Sequence, residues 1–142
     1  MSALLHRDDG NAVVELAPVA LVILVFVAVI AVGGRITQAR LAVFDAARDA
    51  ARQASIARTP QRAAAAAQAS AQAALNADQL DCSPVVTVNT SGFSVPPGQP
   101  ATIRATVTCD VSLAGLTGVP GIPSSRLVTA TFISPLDLNR AR

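Results

Sequence analysis

The chain contains no tryptophan, no tyrosine and no lysine. Its single histidine is His6 and its single glutamate is Glu15. These absences remove most catalytic chemistry. Beyond His6 there is no residue from which to build a Ser-His-Asp or Cys-His relay, a lysine Schiff base or a histidine-based metal site. The aspartates after the first ten residues are scattered, with no pair suited to acid–base work. The residues argue against an enzyme, and they suggest neither a cofactor nor a metal. The net charge of +2 is carried by arginine alone. Those arginines are dispersed and mostly balanced by aspartate, and few aromatics accompany them for base stacking, so nucleic acid is not an expected partner.

Charge is also missing from one long stretch. From Leu16 to Gly34 no residue is charged. As a helix these roughly 19 positions extend about 28 Å, close to the roughly 30 Å hydrocarbon core of a bilayer. The stretch is read as a membrane-spanning helix over residues 11–34. Glu15 sits at its front edge. A carboxylate in hydrocarbon costs on the order of 2–3 kcal/mol at a helix centre and less near the interface. Taken alone, Glu15 reads as a marker of the membrane edge.

Two cysteines, Cys82 and Cys109, follow the apolar run, without the CxxC spacing of zinc or thioredoxin-like sites. Two readings are open: a structural disulfide in an oxidising space, or two buried thiols in a reducing one. The disulfide is the expectation.

The remainder is organised as helix, helix and short strands. Residues 35–58 are rich in alanine, with Asp45 three before Arg48 and Asp49 three before Arg52, spacings that place opposite charges on one solvated face. Ile36, Val43, Ala47, Ala50, Ala54 and Ala57 trace an apolar stripe. Thr59-Pro60 is a helix start, N-cap followed by proline at the first helical position, and predicts a second helix over 60–76. The connection around Cys82 precedes three strands at about 85–90, 101–111 and 126–133. The second alternates cleanly, with Ala101, Ile103, Ala105, Val107, Cys109 and Val111 on one face. Glycine- and proline-rich stretches at 91–100 and 114–123 are loops. The fold class is α+β: a long N-terminal transmembrane helix continuing into the domain, a second alanine-rich helix, and a small three-stranded antiparallel sheet. An antiparallel hairpin with Val86 opposite Ala105 and Val88 opposite Ile103 would set Cys82 opposite Cys109 and staple its open end.

The first ten residues are too short and polar for an ordinary secretory signal. They end in Gly10, and Asn11-Ala12-Val13-Val14 separate that glycine from Glu15. A short polar leader ending in glycine, then four residues, glutamate and a long apolar helix resembles the leader of a type IV prepilin. With the helical extension, the small sheet domain and the closing Thr131-Phe132-Ile133-Ser134-Pro135-Leu136-Asp137, the layout resembles the TadE family. These are pseudopilin-like minor pilins of tight-adherence (Flp) pilus systems. The family commonly has an aromatic residue after the glutamate; here that position is Leu16.

The resemblance implies a leader over 1–10 cut by a membrane prepilin peptidase between Gly10 and Asn11. It implies that Glu15 pairs with the new N-terminal amine of a neighbouring subunit. It also implies a domain over 35–142 on the extracytoplasmic side of the cytoplasmic membrane, incorporated in a pilus or held ready for one. The partners would be the membrane, the peptidase, other pilin or pseudopilin subunits, and the pilus assembly platform and motor proteins, with no small-molecule substrate. Arg35 and Arg40, counted by charge alone, would instead put the domain in the cytoplasm. The alternative function is an uncleaved single-pass anchored domain that binds a cell-envelope component.

Overall fold

The computed structural model describes residues 11–112 and 124–137, with side chains from Leu16 onward. The expected leader with Gly10, the side chains of Asn11 and Glu15, and the expected loop at 114–123 lie outside the described residues. The chain divides into two compact units between Ile36 and Thr37.

The first element, α1, is a 46-residue helix from Asn11 to Ile56 that begins in the first unit and ends in the second. Its sequence explains its continuity. The aliphatic run is followed by alanines and arginines of high helix propensity. Pro18 removes one backbone bond inside α1, and the helix runs through it. It also runs through Gly33-Gly34, where no atom lies within 4 Å of an added Cβ on either residue. In the first unit the aliphatic side chains are turned outward: Leu16, Leu21, Val22, Leu24, Phe26 and Val29 are all more than half exposed.

In the second unit α1 becomes one-sided. Ala39, Ala42, Val43, Ala46, Ala47, Ala50, Ala51 and Ala54 are buried, whereas Asp45, Arg48, Asp49 and Arg52 are exposed. The stripe is wider than the sequence pattern predicted. It gains Ala39, Ala42, Ala46 and Ala51, while Ile36 and Ala57 at its ends are only half-buried. The reason is composition: alanine occurs on both sides of the helix, so polarity contrast under-reports the covered face.

A second helix, α2 (Pro60–Ala77), starts where the Thr59-Pro60 signal places it. The Thr59 hydroxyl accepts from the Arg62 amide at 3.3 Å. Its buried residues Ala63, Ala67, Ala71 and Leu75 recur every four residues. The helix closes with a left-handed turn at Gln79, φ 56°. The Leu80 amide donates to the Leu75 carbonyl at 2.9 Å and the Gln79 amide to the Asn76 carbonyl at 3.1 Å, satisfying two carbonyls at the helix end. Glycine is the residue that adopts this conformation without strain. Gln79→Gly is therefore expected to stabilise the protein by up to about 1 kcal/mol, read as a higher denaturant midpoint at unchanged slope.

Three antiparallel strands follow, β1 (Val85–Asn89), β2 (Thr102–Ser112) and β3 (Ser125–Pro135), in the order β1-β2-β3. The alternation in β2 is realised. Ile103, Ala105, Val107, Cys109 and Val111 are buried with Val128 of β3, against the alanines of both helices and Leu75. The opposite face is threonine-rich, and the cross-strand pairs Thr106–Thr131 and Thr108–Thr129 share hydroxyl hydrogen bonds of 2.9 and 3.1 Å. Between β1 and β2 the chain makes a one-turn 3-10 helix, Ser91–Ser94. A Cβ on Gly92 would come within 2.5 Å of the Thr102 carbonyl oxygen, so only glycine fits that approach.

The hairpin register corrects the expected one. Val86 faces Val107 and Val88 faces Ala105, two residues away from the predicted pairing. The inward faces are unchanged, because a slip of two preserves the alternation of side chains. Cys82 is therefore not directly opposite Cys109. It precedes β1 and reaches Cys109 from beyond the strand end.

Candidate functional site

Two regions carry the features from which function can be argued: the apolar portion of α1, and the disulfide-closed domain with the surface around it.

α1 contains the one helix segment among the described residues that is long and apolar enough to cross a membrane. None of the residues in its most apolar window is buried within the chain. Exposure of this many aliphatic side chains to water would be strongly unfavourable, at roughly 25 cal/mol per Å² of apolar surface. The segment calls for lipid or other apolar helices around it. Asn11 and Glu15 both lie in α1, four positions apart, so about 6 Å of helical rise separates the residue after the expected cut from the carboxylate-bearing one. The backbone thus holds Glu15 in regular helix at the start of the uncharged run.

In the second unit Cys82 and Cys109 form a disulfide with a Cα–Cα separation of 5.9 Å. No described cysteine is free. Cys109 is 1% exposed on the inward face of β2, and Cys82 is half-buried in the connection from α2. Nearby, the Gln68 side-chain amide donates to the Pro84 carbonyl at 3.0 Å and ties α2 to the approach of β1.

The closing segment of β3 fastens the sheet to α1. The Phe132 ring meets Phe44 edge-to-face, centroids 5.9 Å apart at 80°. Ser134 donates to the Ser55 hydroxyl at 3.2 Å, and Ser55 donates on to the Arg52 carbonyl at 2.8 Å, so two buried hydroxyls of the helix–strand interface are satisfied in series. The Leu136 amide donates to the Ala101 carbonyl at 2.8 Å and carries the pairing just past the strand. The segment from Thr131 to Asp137 is, physically, the seam between sheet and helix.

All six described aspartates are exposed. Among the described residues no group of three or more His, Cys, Asp or Glu is placed to hold a metal. A cleft of about 380 Å³ is lined by Arg40 and Phe44 of α1 and by residues 126–130 of β3. Its two arginines are 86 positions apart in the sequence, and no local pattern links them.

Comparison of the chain with protein-family models, with curated proteins and with solved structures finds no match.

Proposed function

We propose that this chain is a pilin-like subunit of the TadE kind: cut after Gly10, retained in the cytoplasmic membrane by α1, and used in assembling a Tad (Flp-type) pilus or a related secretion apparatus. The observation that carries the reading is the order of Gly10, Glu15 and the uncharged run in the sequence, together with the helix that contains Glu15. Among the described residues α1 is helical from Asn11, includes Glu15 five positions after the glycine, and runs on without interruption past the apolar stretch to Ile56.

Each part has a physical role in that reading. Glycine before the cut permits an extended, unobstructed backbone in a protease site. The helix stays behind as the anchor and packs against the helices of other subunits. Glu15, costly in hydrocarbon by itself, is compensated by the amine that cleavage creates on a neighbouring subunit. The disulfide supports an extracytoplasmic position for the domain, since such bonds persist in oxidising compartments. Arg35 and Arg40 count toward the opposite orientation, but a disulfide needs an oxidising space and outweighs two charges.

The test is the mass and N-terminal sequence of the protein expressed with and without a prepilin peptidase. A chain that begins at Asn11 only in the presence of the peptidase is the expected result. Retention of Met1–Gly10 in cells containing an active peptidase would leave an uncleaved anchored domain binding a cell-envelope component, and the pilin reading would be lost.

A further inference from the structure

We infer that the cleft between α1 and β3 is a binding site for the phosphate-bearing headgroup of an anionic lipid. The inference rests on the reading of α1 as a membrane anchor, and not on cleavage at Gly10. The cleft lies wholly within residues 37–142 and combines two cations with apolar surface. Arg40 and Arg126 line it together with Phe44, Leu127 and Val128. Both arginines are exposed, and among the described residues neither guanidinium has a hydrogen bond or an ion pair. Phe44 is 44% exposed and Leu127 67% exposed. Cations beside exposed apolar groups suit an amphiphile better than a small soluble anion.

The position along α1 selects the lipid. Arg40 follows Gly34, the last residue of the uncharged run, by six positions. That is about 9 Å of helical rise, against a headgroup layer of roughly 5–8 Å on each side of the hydrocarbon core. A long arginine side chain easily spans the difference by reaching back toward the interface. Arg35 and Arg40 are the charged residues between Gly34 and Asp45, so the stretch that leaves the uncharged run is positive. The fold adds Arg126 from the start of β3 to the same spot. Guanidinium groups bind phosphate through paired N–H donors, and two of them can share one phosphodiester.

The experiment uses the full chain in a non-ionic detergent, with bound lipid counted by native mass spectrometry. Phosphatidylglycerol and phosphatidylcholine are titrated separately, and inorganic phosphate is added as a competitor. Phosphatidylglycerol is expected to bind well below the concentration needed for phosphatidylcholine. Each basic group near an anionic surface contributes about a fivefold factor, so R40Q/R126Q is expected to weaken phosphatidylglycerol binding roughly 20- to 30-fold. The R58Q/R62Q variant removes the same charge at exposed sites outside the cleft and is expected to leave binding unchanged. The single R126Q variant, far from the anchor in sequence, is expected to show about half of the logarithmic effect. Equal losses in the two double variants would overturn the site in favour of general charge attraction. Equal binding of the two lipids would overturn it outright. Displacement by millimolar phosphate would replace the lipid with a soluble anion, and a dimer lost in R40Q/R126Q would replace it with an acidic surface of a second copy. A chain that stays uncleaved leaves every arm of this test intact.

Discussion

Replacing Cys82 and Cys109 together by alanine is expected to lower the stability of the disulfide-closed domain by about 3–4 kcal/mol. The disulfide spans 27 positions, and the loop-closure entropy it removes from the unfolded chain has that size. The loss is a large share of the total stability because the core is poor in large side chains. Eleven of the nineteen buried hydrophobic residues among the described ones are alanines, each bringing a single methyl to the interior. At about 0.8 kcal/mol per buried carbon, such residues stabilise far less than leucine or isoleucine would. For a domain of this size the loss corresponds to a drop of about 10–20 °C in Tm. The measurement is thermal unfolding of the full chain in detergent micelles, oxidised, reduced and as the double alanine variant. Alanine is the right replacement because Cys109 is buried among apolar groups, where a serine hydroxyl would add its own penalty. The loss should also be local in hydrogen exchange. β1 has five residues and pairs with β2 alone, so its amides should lose protection before those of β2 and β3. A Tm shift below about 3 °C, with β1 as protected as before, would mean that the crosslink adds nothing to a domain already held by its packing.

The pairing of those two cysteines was legible in the sequence, but its geometry was not. The alternation of Ile103, Ala105, Val107 and Cys109 identifies a strand and its inward face. That pattern is unchanged by a slip of two residues, so it cannot choose between neighbouring registers. Placing Cys82 directly opposite Cys109 selects one register; the structure takes the next. The choice is made in the connection, by the turn at Ser91–Ser94, by the tight approach of Gly92 to Thr102, and by Gly98 at φ 87°. Pro84, without an amide hydrogen, cannot extend the ladder as a donor toward Cys82.

The helices were legible for a simpler reason. Thr59-Pro60 is a local cap signal, and local signals survive into the fold. The width of the α1 stripe was not legible, because an alanine facing the sheet and an alanine facing water are the same letter. The cleft was invisible altogether: Arg40 and Arg126 come to line one cleft only through the antiparallel return of β3 and its seam to α1 at Phe44–Phe132 and Ser55–Ser134.

Glu15→Ala is expected to leave cleavage at Gly10 in place and to abolish assembly with partner subunits. The two events use the residue differently under the proposed function. The peptidase acts on the backbone between Gly10 and Asn11, five residues before the carboxylate, so removing that charge perturbs the scissile bond little. Assembly brings Glu15 into hydrocarbon against the new amine of another copy. Deleting one member of a buried ion pair costs about 3–5 kcal/mol, since the remaining charge is left without compensation. At 1.4 kcal/mol per tenfold, that is a loss of roughly 10²- to 4 × 10³-fold in subunit association. Glu15→Gln separates charge from shape: it preserves length and hydrogen bonding, and it should fail in assembly nearly as completely as alanine. Glu15→Asp keeps the charge on a shorter stem and should recover part of the loss. The readout is intact mass for cleavage and crosslinked or sheared filament fractions for assembly, in one strain, with membrane extraction confirming that each variant remains inserted. An alanine variant that is cut and still assembles at the wild-type level would mean that Glu15 marks only the membrane edge. Loss of cleavage in all three variants would instead place the carboxylate in peptidase recognition. In the first case the charge could not be the device that sets subunit register, and the aliphatic surface of α1 would have to do so alone.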